Sequence, residues 1–156
     1  MLQFIIDGYN FVHKIPKIKD SSTPCSDLLF LIYKNKLTGS TNNSVWVIFD
    51  GGRPPYPINN FQYKVLFSGG EIADNLIIKK VKQVKNKKQI LVVTDDRQLA
   101  YRAKTLGAGA ISVNKFMSKA KKSQKKEKTK DISYSLQREI TEELKKIWLD
   151  KDNPQT

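Results

Sequence analysis

Runs of apolar residues that each stop at an acid recur along this chain. Phe4-Ile5-Ile6 meets Asp7-Gly8, Val45-Trp46-Val47-Ile48-Phe49 meets Asp50-Gly51-Gly52, and Ile90-Leu91-Val92-Val93-Thr94 meets Asp95-Asp96-Arg97. Such runs, rich in β-branched residues, suit strands covered on both faces, as in a parallel sheet. Tyr63–Ser68 and Ala110–Val113 supply two further strands. Between them the spacing turns helical. Ser26 or Asp27 caps a helix carrying Leu28, Leu29, Leu31, Ile32 and Leu37, which ends at Gly39 and the polar run Ser40-Thr41-Asn42-Asn43. Ile72, Leu76, Ile77, Val81 and Val84 mark a second helix starting near Glu71, and a third runs from Gln98 to Leu106, closed by Gly107. The segment from Phe11 to Thr23 mixes Lys, Pro and Ser without a sustained period and predicts an exposed connection. Arg53-Pro54-Pro55-Tyr56-Pro57 can continue neither a helix nor a central strand, so it predicts a stiff loop beside Asp50.

Strands alternating with helices predict an α/β fold with a central, mainly parallel sheet. Crossover helices bring the strand endings to one edge, where open sheets of this kind place their ligand crevices. Asp7, Asp50 and Asp96 follow strand endings, and Asp74 lies in the first turn of a helix. Each acid also has a plainer reading. Asp7 and Asp96 suit helix caps, and Asp74 complements a helix dipole. Taken together, several carboxylates at one crevice disfavour folding unless a cation neutralises them. Oxygen donors without His or Cys select Mg²⁺ or Mn²⁺ over zinc. Attack of a metal-activated water on a phosphodiester is the chemistry such a site supports best.

Charge adds a partner. Lys and Arg number 28 against 15 Asp and Glu, a formal net charge of +13, which favours polyanions, nucleic acid above all; solubility alone is the plainer account. Seven lysines crowd Ser118 to Lys130, where no large apolar residue could build a core. The predicted organisation is a domain over 1–117, a lysine-rich linker over 118–131, an amphipathic helix over 132–149 marked by Leu136, Ile140, Leu144, Ile147 and Trp148, and a tail over 150–156. The single Cys25, with no CxxC or Cys/His cluster, points to a reducing compartment, the cytoplasm by default. The first apolar run is too short for a secretory signal, and no run approaches the roughly 18 apolar residues of a membrane span.

The set Ile6-Asp7-Gly8-Tyr9-Asn10, Phe49-Asp50-Gly51, Ala73-Asp74 and Thr94-Asp95-Asp96-Arg97-Gln98-Leu99 resembles the NYN domain of the PIN-like nuclease superfamily, more narrowly its bacterial YacP-like branch, over about residues 2 to 117. The resemblance implies a Rossmann-like, PIN-type three-layer fold and divalent-metal-dependent cleavage of single-stranded RNA. By position, Asp7 matches the first-strand acid, Asn10 the asparagine of the opening motif, Asp74 the helix acid and Asp96 the acid after the fourth strand. Asp50 matches a recurrent acid. Two positions depart from the pattern: Asn75 stands where similar proteins often carry a second acid, and Asp95 where Ser is frequent. The lysine tract lies outside the pattern.

These observations predict a cytoplasmic endoribonuclease. Asp7, Asp74 and Asp96 would hold Mg²⁺ or Mn²⁺, with Asp50 and Asp95 as further candidate ligands and Asn10 orienting a ligand, water or phosphate. Arg53, Tyr56, Arg97 and Lys119, Lys121, Lys122, Lys125 and Lys126 would engage RNA, free or on the ribosome. The alternatives are an inactive RNA- or ribosome-binding adaptor and a hydrolase of small phosphate esters.

Overall fold

A computed structural model describes residues 1–39 and 42–118. Five strands form one sheet: β1 (Gln3–Asp7), β2 (Ser44–Phe49), β3 (Lys64–Phe67), β4 (Ile90–Val93) and β5 (Gly109–Ile111). Their spatial order is β3-β2-β1-β4-β5 and every pairing is parallel. β1 is therefore central, with Ile6 opposite Val47 on one side and Val93 on the other. The chain builds outward from β1 to β3, then crosses back to start β4 on the other flank, so the gap between β1 and β4 is the topological switch point.

The pleat divides the strands between two cores. Phe4, Ile6, Val45, Val47, Phe49 and Val93 face one layer; Ile5, Ile48, Ile90 and Val92 face the other. Burial on both faces explains why the sequence shows unbroken apolar runs rather than alternation. The first layer holds α1 (Gly8–His13), α2 (Pro16–Lys19), α3 (Pro24–Lys34) and the helical residues 113–118, with Phe116 stacked on Phe4 at 5.7 Å. The second holds α4 (Ala73–Gln83) and α5 (Arg97–Thr105). Sheet and two helical layers make the expected three-layer α/β fold.

The segment from Phe11 to Thr23 departs from expectation. It is not an exposed connection: α1 and α2 occupy it, and Phe11, Val12, Ile15 and Ile18 are buried. Their spacing is helical, but Pro16 restarts the helix and the interleaved lysines mask the apolar face. α3 likewise begins earlier than Ser26, because Pro24 fits the first helical turn, where its missing N–H costs nothing. Residues 50–63 contain no helix or strand, as the prolines require. The predicted linker, C-terminal helix and tail lie outside the described residues, apart from Ser118. Among the described residues no helix is long and apolar enough to cross a membrane.

Candidate functional site

The last residue of β1 carries the site. Asp7 is buried, and burial pushes its carboxyl from an ordinary 3.8 up to about 6; the negative charges of Asp74 and Asp96 push the same way. Two contacts oppose this. Thr94, buried at the end of β4, donates its hydroxyl hydrogen to Asp7 Oδ2 at 3.1 Å, and the Asn10 amide favours the ionised form without completing full cap geometry. The Thr94 oxygen in turn accepts the Asp96 amide at 3.1 Å. A short chain of hydrogen bonds thus runs from the start of α5 to the acid of β1.

Asp96 caps α5. Its Oδ1 accepts the amides of Gln98 at 2.9 Å and Leu99 at 3.2 Å, so the plain capping role expected of a Thr-Asp-Asp junction is real. It is also electrostatically engaged with the other acids. Asp74, in the first turn of α4, has its carboxyl pushed up by burial, by the charge of Asp96 and by a hydrogen bond shared with Asp96, while Arg102 pulls it down and Asp50 adds to the rise. Asp7, Asp74 and Asp96 therefore converge at the carboxyl edge of the sheet beside the switch point. As donors they are of the hard oxygen type that suits Mg²⁺ or Mn²⁺, and a cation would relieve the charge they impose on one another. Among the described residues no three His, Cys, Asp or Glu side chains come close enough to form a ready-made cage.

The remaining predicted residues sit around this group in supporting positions. Asp50 accepts the Ala73 amide at 3.0 Å and the Ser68 hydroxyl at 3.2 Å, and Ser68 accepts the Gly51 amide at 2.9 Å. Its carboxylate caps α4 from 23 residues upstream and so fixes where Asp74 stands. Asp95 turns to the other helical layer: it pairs with Lys14 at 3.0 Å and accepts the Val113 amide at 2.9 Å. Lys14 thus neutralises Asp95 beside its acidic neighbour Asp96. Asn10 accepts the Asp95 amide at 2.7 Å, tying α1 to the β4–α5 turn.

Arg53 and Arg97 are exposed, Arg97 in the first turn of α5. Tyr56 is half-buried against the α1–α3 core, and its hydroxyl accepts the Cys25 amide at 3.0 Å. That hydroxyl closes the orphan amide of a helix start rather than facing solvent. Lys119, Lys121, Lys122, Lys125 and Lys126 lie outside the described residues. Four participants were missed from the sequence: Thr94, Lys14, Ser68 and Arg102. Of these only Thr94 left a signal, as the polar residue closing an otherwise apolar strand.

Comparison with known proteins bears on the family and the fold. A family model described as the YacP-like NYN domain matches residues 4–154, well past the end of the resemblance read near residue 117. Two solved structures of Bacillus subtilis Rae1 (YacP) are similar. The W164L mutant has a TM-score of 0.63 and 22% identity, covering 97% of this chain and 96% of that one. The other has a TM-score of 0.57 and 25% identity, covering 97% of both. The search of curated proteins finds no match. With its parallel sheet, its acids at the switch point and a family match over nearly its whole length, this chain belongs to the YacP-like NYN domain family, which has a nuclease-like fold.

Proposed function

We propose that this protein is a cytoplasmic, Mg²⁺- or Mn²⁺-dependent endoribonuclease that hydrolyses single-stranded RNA. The observation that carries it is the convergence of Asp7, Asp74 and Asp96 beside the switch point, with Asp7 buried at a cost that a cation would remove. Family membership and the net charge of +13 support RNA as the substrate.

Asp7, Asp74 and Asp96 would hold the ion. When bound, such a cation lowers the pKa of water and stabilises charge on a transferring phosphoryl group. Asp7 works as an ionised ligand, kept so by the Thr94 hydroxyl and the Asn10 amide against its burial. Asp96 is fixed at the start of α5 by the two amides its Oδ1 accepts and by its own amide's bond to Thr94. Asn10 and Asp50 act as positioning residues, one on the β4–α5 turn and the other on α4.

The test is cleavage of labelled single-stranded and structured RNAs by the full chain with Mg²⁺, with Mn²⁺ and with EDTA. A water nucleophile leaves 5′-phosphate and 3′-hydroxyl ends. Asp7→Asn and Asp96→Asn abolish cleavage while largely sparing RNA binding. Only cyclic phosphate ends, or full activity in both variants, would refute the assignment.

A second reading, an RNA- or ribosome-binding adaptor, is favoured by the open spacing of the acids and by Asn75, which engages Arg102 where a second acid is common in similar proteins. Tight RNA binding without metal-stimulated cleavage on any RNA would select it.

A further inference from the structure

Most large apolar side chains are interior, and the exceptions are few. Among the described residues six stand exposed: Met1 and Leu2 at the chain start, Phe30 and Tyr33 on α3, and Ile72 and Tyr101. The last pair is placed differently from the rest. Ile72, 62% exposed, immediately precedes α4 and is two residues from Asp74; Tyr101, 73% exposed, lies on α5, whose first turn begins at Asp96. The two most exposed apolar groups of the second layer thus belong to the two helices that carry Asp74 and Asp96 at their starts.

α5 buries Leu99 and Ala103, while Arg97, Gln98, Tyr101, Arg102, Lys104 and Thr105 are exposed. Arg97 and Tyr101 are four residues apart, and Lys104 and Thr105 follow on the same side, so cations bracket the ring along roughly 10 Å of helix. Arg102 leans to the neighbouring helix, its Nη1 3.5 Å from Asn75 Oδ1, and keeps positive charge next to Asp74. An exposed aromatic ring set among cations beside an acidic site suits a ligand with both planar bases and phosphates. A backbone-tracking positive surface with a stacking ring is the usual platform for single strands, because every base offers a π-face. A double helix would hide its bases from the ring.

We propose that the exposed face of α5 is the track that holds a single-stranded nucleic acid against the site, with a base stacked on Tyr101, Arg97 and Lys104 on the flanking phosphates, and Arg102 with Ile72 at the crevice lip. The proposal rests on the nuclease reading for the identity of the site it feeds, but it concerns binding and is tested without turnover.

The experiment measures fluorescence anisotropy of labelled oligoadenylate and of a duplex of equal length. The full chain carries Asp7→Asn to prevent cleavage, and binding is followed across a salt series. Adding Tyr101→Ala weakens single-strand binding about 5- to 100-fold and leaves duplex binding nearly unchanged, whereas Tyr101→Trp restores the single-strand affinity. Adding Arg97→Ala with Lys104→Ala flattens the slope of log K against log salt by about 0.7 for each cation removed. Unchanged affinity in Tyr101→Ala, or an unchanged salt slope in the double variant, would overturn the proposal. Equal losses for duplex and single strand would also overturn it. The two hypotheses separate cleanly. Tyr101-dependent binding with no metal-stimulated cleavage by the unaltered chain sinks the nuclease reading alone, and cleavage with Tyr101-independent binding sinks the track alone.

Discussion

Neutralising Asp7 should make the metal-free protein more stable, not less. In the folded chain burial holds this carboxyl at about 6, against 3.8 when free. At about 1.4 kcal/mol per pH unit, the gap corresponds to about 3 kcal/mol of folding free energy. The group is buried, so solvent screening takes little from this figure. Because the folded value is the higher one, the stabilisation is fully present below pH 3.8 and is lost as the pH rises through about 6. Above that, the folded state carries an ionised carboxylate it resists. Asp7→Asn keeps the shape and an oxygen for the Thr94 hydroxyl while removing the charge. Thermal and urea melts in EDTA should show the variant up to about 3 kcal/mol more stable at pH 7.5, or roughly 6–12 °C in Tm for a chain of this size. The advantage should shrink towards zero near pH 4. Mg²⁺ should raise the Tm of the unaltered protein more than that of the variant, which keeps only Asp74 and Asp96 of the three acids a cation would neutralise. A variant no more stable at pH 7.5, or a gap independent of pH, would refute the assignment of Asp7 as a strained acid.

Asp50→Ala should cost about 1 kcal/mol in urea melts by removing the remote cap of α4, and should lower cleavage through Asp74; Asp50→Asn, which can still accept the Ala73 amide, should recover most of both. Asp95→Ala should destabilise by about 1–3 kcal/mol because the Val113 amide loses its acceptor, whereas Lys14→Ala, removing the exposed half of the pair, should cost under about 1 kcal/mol. Lost activity at unchanged stability in Asp95→Ala would instead mark Asp95 as a ligand. Gly8→Ala should lower stability by about 1–3 kcal/mol in calorimetry, because a Cβ there meets the Phe49 ring; Gly52→Ala, with open space around it, is the matched neutral control.

Much of the sheet was legible because strands buried on both faces write themselves as unbroken apolar runs, and because β1, β2 and β4 each end in an acid at the same edge. The predicted helices were legible where one apolar face repeats without interruption, as in α4. α1 and α2 were not, since Pro16 and the lysines break a pattern only four buried residues long. The acids could be listed from the sequence but not sorted. Asp95 and Asp96 are neighbours, yet one faces Lys14 and Val113 in the first helical layer and the other caps α5 and meets Asp74; the difference lies in partners far away in sequence. Asp50 is similar. Its partner amide belongs to a helix that begins 23 residues later, beyond the reach of any local capping motif. Tyr56 looked free because its loop is rich in proline, but its hydroxyl finds Cys25 from 31 residues away.

Thr94 has only one hydrogen to give. Its oxygen is already taken as an acceptor by the Asp96 amide, so the hydroxyl can only point that hydrogen at the Asp7 carboxylate. The turn into α5 therefore sets a direction as well as a position. Asp7 is thereby supplied with a donor that favours its charged form against the burial that opposes it. The charge carried at the end of β1 is in this way tied to the geometry of a loop at the start of another helix, and Thr94→Val would uncouple the two while leaving the core volume almost untouched.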